Sequence, residues 1–79
     1  MEIKVLGPGC QKCKTLETLT REVVEKNGIH ATVIKVEDIM EIMKYKVIAT
    51  PSLVVNEVVE IKGRVPSADE LLQILKKYE

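Results

Sequence analysis

The 79-residue sequence predicts an α/β fold, with elements in the order βαβαββα and a four-stranded mixed sheet. Short β-branched apolar runs alternate with apolar stripes at helical spacing through the first half. Two more apolar runs follow Pro51 with only Asn56-Glu57 between them, and the chain closes on a capped amphipathic stretch.

Ile3, Val5 and Leu6 make the opening stretch, Met1 to Leu6, a strand, and Gly7-Pro8-Gly9 break it sharply. From about Cys10 the period changes. Leu16, Leu19 and Val23 recur at i, i+3 and i+7, Val24 widens the stripe, and Asn27-Gly28 supplies a left-handed stop, so a helix with one buried face is expected. His30 to Val36 reads as a second strand, and strand, helix, strand in this order implies a right-handed crossover and a parallel pair. Asp38 with Glu41 three residues on looks like the cap of a short helix through about Tyr45. Leu53 to Val55 and Val58 to Ile61 form an antiparallel hairpin around Asn56-Glu57, although Glu is a poor substitute for Gly in such a turn. Ser67 and Glu70 make an S-x-x-E capping box, Pro66 keeps the preceding chain extended, and Leu71, Leu72, Leu75 and Tyr78 mark the buried face of a last helix.

An apolar content of 46% suffices for one packed core, so a single domain over residues 1–79 is expected. No segment approaches the roughly 20 apolar residues of a membrane span. The N-terminus lacks the basic region and cleavage site of a secretory signal, so a soluble protein with no membrane partner is expected. Twelve basic and twelve acidic side chains balance, and Tyr45 and Tyr78 are the only aromatics, which argues against nucleic acid as a partner. Two cysteines three positions apart cannot staple a secreted fold, so a cytoplasmic protein whose thiols have a task is expected.

Those thiols sit in GPGCQKC, between strand and helix. A helix N-terminus carries unpaired N–H groups and the positive end of the macrodipole, which favour a thiolate. Cys10 is the residue placed to benefit, and Lys12 and Lys14 add positive charge, so its pKa should fall below the ordinary value of about 8.5. Cys13 lies one turn further in, beside Leu16, where burial disfavours its anion. That asymmetry suits dithiol-disulfide exchange: Cys10 attacks a substrate disulfide, and Cys13 then resolves the mixed disulfide. Two small buried hydrophobes would be the bland alternative. Thr50-Pro51 stands at a strand start, where proline is unusual, and sequence leaves both a cis bond and an ordinary trans loop end open.

GPGCQKC after an opening strand, Thr50-Pro51 some forty residues later, a hairpin, and GRVPSADEL before a last helix together resemble the small thioredoxin-like, glutaredoxin-like redox-active disulfide proteins of archaea and bacteria. The resemblance covers essentially the full chain. It implies a thioredoxin fold with sheet order 2-1-3-4 and helices on both faces. It also implies a cis Thr50-Pro51 bond packed against the dithiol, Cys10 as nucleophile and Cys13 as resolver. The Thr50 backbone would pair with an extended substrate segment, Pro51 would help keep metal ions off the thiols, and Gly63 would border the same groove. Implied partners are disulfide-containing proteins and a flavin-dependent thioredoxin reductase, for a monomer that needs no cofactor. The pattern also departs from its larger relatives. Gly9 stands where thioredoxins proper carry Trp, and on a gapless match Lys4 takes the place of their buried Asp. Gln11 and Lys12 replace the aromatic residue of glutaredoxin motifs, which puts glutathione as reductant in question. Arg64 reads as a solvated charge rather than a carboxylate receptor.

Two rival readings remain. A CxxC between a first strand and first helix also occurs in copper-chaperone domains, and thiolates suit Cu(I) and Zn. Those domains resemble βαββαβ with a Met near the first Cys, whereas here the Met residues are 1, 40 and 43 and the only His, His30, lies at the far end of the first helix. The other rival is a redox-inert domain that binds extended peptide by backbone pairing.

Overall fold

β1 (Glu2–Leu6), α1 (Gln11–Lys26), β2 (Thr32–Val36), α2 (Ile39–Met43), β3 (Ser52–Val55), β4 (Val58–Lys62) and α3 (Ala68–Lys76) follow one another in the computed structural model, which describes residues 1–79. The order is the expected one. The sheet runs β2-β1-β3-β4. β1 and β2 pair in parallel from Glu2↔Thr32 to Leu6↔Val36, with α1 as the crossover. β3 lies antiparallel to both β1 and β4. The second strand starts later than expected, at Thr32, and His30 is exposed.

The pleat sorts side chains between two cores. Ile3, Val5, Leu53, Val55 and Ile61 pack against Leu16 and Val23 of α1 and Leu71 and Leu75 of α3. Leu6 and Val54 point the other way and meet Ile42 of α2 and Val47. Helices therefore cover both faces, two on one side and the short α2 on the other. Val59 and Ile61, two residues apart, should share a face, yet Val59 joins the α2 core and Ile61 the α1/α3 core. A register shift explains this. Leu53 faces Ile61 while Val54 faces Val59, so Glu60 is the extra residue of a β-bulge.

Hairpin and caps follow the sequence with one change. Asn56 and Glu57 both take left-handed backbone (φ 47° and 69°), as a tight two-residue turn requires. Ser67 Oγ accepts from Glu70 N at 3.1 Å, and Asp38 Oδ1 from Met40 N at 2.9 Å. The reciprocal halves of the two capping boxes are not formed. Glu70 is instead taken by Arg64 (Nη1–Oε1 2.8 Å) and Glu41 by Lys44 (2.6 Å). Arg64 thus does bind a carboxylate, and the carboxylate is the chain's own.

Candidate functional site

Cys10 is the N-cap of α1: its backbone is extended (φ −68°, ψ 168°), its carbonyl accepts from Lys14 N at 3.0 Å, and its Sγ accepts from Cys13 N at 3.2 Å. A sulfur thus fills the place where Ser or Asp usually caps a helix. Cys13, one turn in, is 6% exposed and belongs to the buried stripe of α1 with Leu16, Thr20 and Val23. Cys10 is open to solvent. The two are joined by a disulfide, with Cα atoms 5.0 Å apart. Helix α1 has no acidic residue in its first turn, and Lys12 and Lys14 are exposed there without ion-pair partners within the chain. Within the first turn, no acidic side chain of α1 itself opposes the dipole.

The strand start lies against this pair. Thr50-Pro51 is cis, Pro51 is buried and Thr50 half-buried. A Cβ built on Gly7 would overlap Cys13 Sγ and lie 3.8 Å from Thr50 Cβ, so the two segments meet over a backbone with no side chain of its own. Pro51 O accepts from Gly63 N at 2.8 Å, and Ala49 O accepts from Ser52 Oγ at 2.7 Å, clamping the segment from either side. Gly63 has left-handed backbone (φ 69°), and a Cβ there would come within 2.7 Å of Ala49 Cβ. Thr50 itself uses neither its N–H nor its C=O within the chain. Cys10, Cys13, Thr50, Pro51 and Gly63 thus fall in one neighbourhood.

Lys4 is elsewhere. It projects on the α2 side, where Nζ donates to Tyr45 Oη (2.7 Å) and Glu57 Oε1 (2.8 Å), and these hydrogen bonds raise its pKa well above the usual lysine value. The β1 residue beside Cys13 is Val5, which carries no exchangeable proton. Sequence reading named Lys14 but missed the charged residues that gather there with it. Lys14, Glu17, Lys35 and Glu37 line a cavity of about 20 Å³ that also touches Cys13. The signal was faint: a Lys and a Glu at the end of β2, on the face that Val5 shares.

Two sulfurs that bond reversibly at the positive end of a helix, one open and one sheltered, can hold or release an electron pair as dithiol and disulfide. Such a protein is a thiol-disulfide oxidoreductase. Comparison with known proteins agrees. A family model described as "Thioredoxin domain" matches residues 1–76. A protein named Thioredoxin from Methanocaldococcus jannaschii is 36% identical over 76 residues, covering 96% of this chain and 87% of its own length. Another of that name, from Methanothermobacter thermautotrophicus, is 37% identical over 75 residues, covering 95% of this chain and 97% of its own length. The chain belongs to the thioredoxin family and is a protein disulfide oxidoreductase. The copper-chaperone order βαββαβ is not its order, since α2 separates β2 from β3. No helix is long and apolar enough to cross a membrane.

Proposed function

We propose that the chain is a small electron carrier that reduces disulfides in protein substrates, with Cys10 as the attacking thiol and Cys13 as the resolving one. The observation that carries this reading is the unequal placement of the two sulfurs, Cys10 exposed at the N-cap and Cys13 6% exposed one turn in. In the reduced protein, the amides of the first turn and the positive charge of Lys12 and Lys14 favour the Cys10 thiolate. Its attack on a substrate disulfide forms a mixed disulfide and expels one substrate thiolate. Cys13 then attacks Cys10 Sγ, the substrate's second sulfur departs, and the Cys10–Cys13 bond closes. The unpaired N–H and C=O of Thr50 suit backbone pairing with an extended substrate segment, beside Pro51 and Gly63.

A flavin-dependent thioredoxin reductase is the proposed electron donor, and the protein acts as a cytoplasmic monomer of one domain. Alkylation of the reduced protein, followed by mass spectrometry, tests the roles. Cys10 is expected to be modified at least tenfold faster than Cys13, because the thiolate reacts and burial hides the second sulfur. Cys13→Ser is expected to trap mixed disulfides through Cys10. Equal alkylation rates, or a faster Cys13, would reject the assignment.

A further inference from the structure

Cys13 can attack only after losing its proton, yet it is 6% exposed and Val5 beside it accepts nothing. The cavity described above places charged groups beside it. Its volume of about 20 Å³ exceeds the 10–15 Å³ that a single water needs. Of its four charged groups, Lys14 and Lys35 are cations with no lone pair to offer while protonated. Glu17 is engaged at one oxygen, its Oε2 accepting from Arg21 Nε at 3.1 Å and lying 3.0 Å from Nη2 in an ion pair. Glu37 is differently placed. Lys35 Nζ lies 3.7 Å from its Oε1, while its Oε2 hangs over the loop, 2.9 Å from where a Gly9 Cβ would be. Gly9 adopts φ 95°, and Gly7 N donates to Val36 O at 2.9 Å, so the loop that passes Cys13 is tied to the residue before Glu37.

We propose that Glu37 accepts the Cys13 proton, through one water in this cavity, as the mixed disulfide is resolved. The proposal rests on the reading of Cys13 as resolving thiol. The Cys13 S–H bond breaks and its proton passes by way of the water to Glu37 Oε2. The resulting thiolate forms the bond to Cys10 Sγ while the bond from Cys10 to the substrate sulfur breaks. The dithiol loses two electrons, and the substrate disulfide gains them as two thiolates that take protons from solvent. Glu37 acts through the water, and Glu17 and Lys35 border it as neighbours.

Dithiodipyridine isolates the step, because each attack releases one thiopyridone: the first in a second-order phase by Cys10, the second in a first-order phase by Cys13. Rates are measured across acid to neutral pH on the full chain. Glu37→Gln is expected to leave the first phase unchanged, slow the second by about tenfold or more, and abolish a carboxylate limb present in the wild-type pH profile. Glu37→Asp is expected to restore part of the rate. An unchanged second phase and pH profile in Glu37→Gln, or the same slowing in Glu17→Gln, would overturn the proposal. Alkylation of the reduced protein separates the two readings: Cys10 reacting faster than Cys13 keeps Cys13 as resolver whatever Glu37 does, and a faster Cys13 would overturn the resolver role and the proton path with it.

Discussion

At Gly7 the need is space. A Cβ there would overlap Cys13 Sγ, a buried atom whose own helix is packed against the sheet and has little freedom to retreat. Gly7→Ala is therefore expected to destabilise the protein by about 1–3 kcal/mol, the usual cost of overpacking a core, read as a lower urea midpoint. It should also change the first-order exchange phase, because the residue pushed aside is the one that reacts. Lys46 presents the reverse case. Its φ is 58°, left-handed backbone that suits glycine, and its side chain has no ion-pair or hydrogen-bond partner within the chain. Lys46→Gly is expected to raise stability by up to about 1 kcal/mol, the strain released being partly offset by a more flexible unfolded chain. A fall in the urea midpoint would contradict that balance. The GPG spelling announced a turn next to the cysteines, but that its first glycine is required by a sulfur six residues later depends on how α1 lies on the sheet, which no local pattern encodes.

Elements were legible because each is specified by its own residues. The stripe of Leu16, Leu19 and Val23, the β-branched runs and the Ser67 cap each act over less than about three turns, within reach of a local pattern. What escaped was decided between elements. Glu70 was read as the return half of a capping box, yet Arg64 offers two parallel guanidinium donors that hold both its oxygens. The bulge at Glu60 was equally hidden, since it is a mismatch between β3 and β4 rather than a property of either. Of the site, the cysteines and Thr50-Pro51 were legible as a motif, whereas Glu37 gains its place only from the register that sets Lys35 beside Val5. The diverted box has a measurable consequence. Ser67→Ala removes the single side-chain acceptor at the start of α3 and is expected to cost about 1 kcal/mol. Glu70→Gln should leave that cap intact, since Ser67 Oγ receives the backbone N–H of residue 70 rather than anything from its side chain. Urea titration of the two single variants and the double variant tests this, and strong coupling between them would restore the reciprocal box.

Across the whole molecule, several of the side-chain ties between segments end on glutamates. Glu57 in the hairpin turn holds Lys4 of β1 and Tyr45 beyond α2, and bulged Glu60 takes hydrogen bonds from Tyr78 and from Lys77 (3.0 Å) at the end of α3. Glu70 holds Arg64. Each carboxyl lies below its ordinary value near 4.5, chiefly through a side-chain hydrogen bond: from Lys4 to Glu57, from Tyr78 to Glu60 and from Arg64 to Glu70. A depressed folded pKa contributes stability that is present above the unfolded value and lost as pH falls through the folded one. Tyr78 shifts the other way. The hydrogen bond to Glu60 and burial raise its pKa above 10.0, so its contribution is present below that pH and lost as pH rises through the raised value. Stability should thus stay nearly level between about pH 5 and 9, with an acid limb below and an alkaline limb above. The Glu60–Tyr78 pair contributes to both limbs. Glu60→Gln keeps an acceptor for the phenol but loses the charge, so the urea midpoint is expected to fall on the plateau while both limbs flatten. Tyr78→Phe should flatten the alkaline limb and weaken the acid one. If Glu60→Gln left the acid limb as steep as in the wild type, acid unfolding would have to be assigned to Glu57 and Glu70 alone, and the bulge would lose its part in anchoring α3.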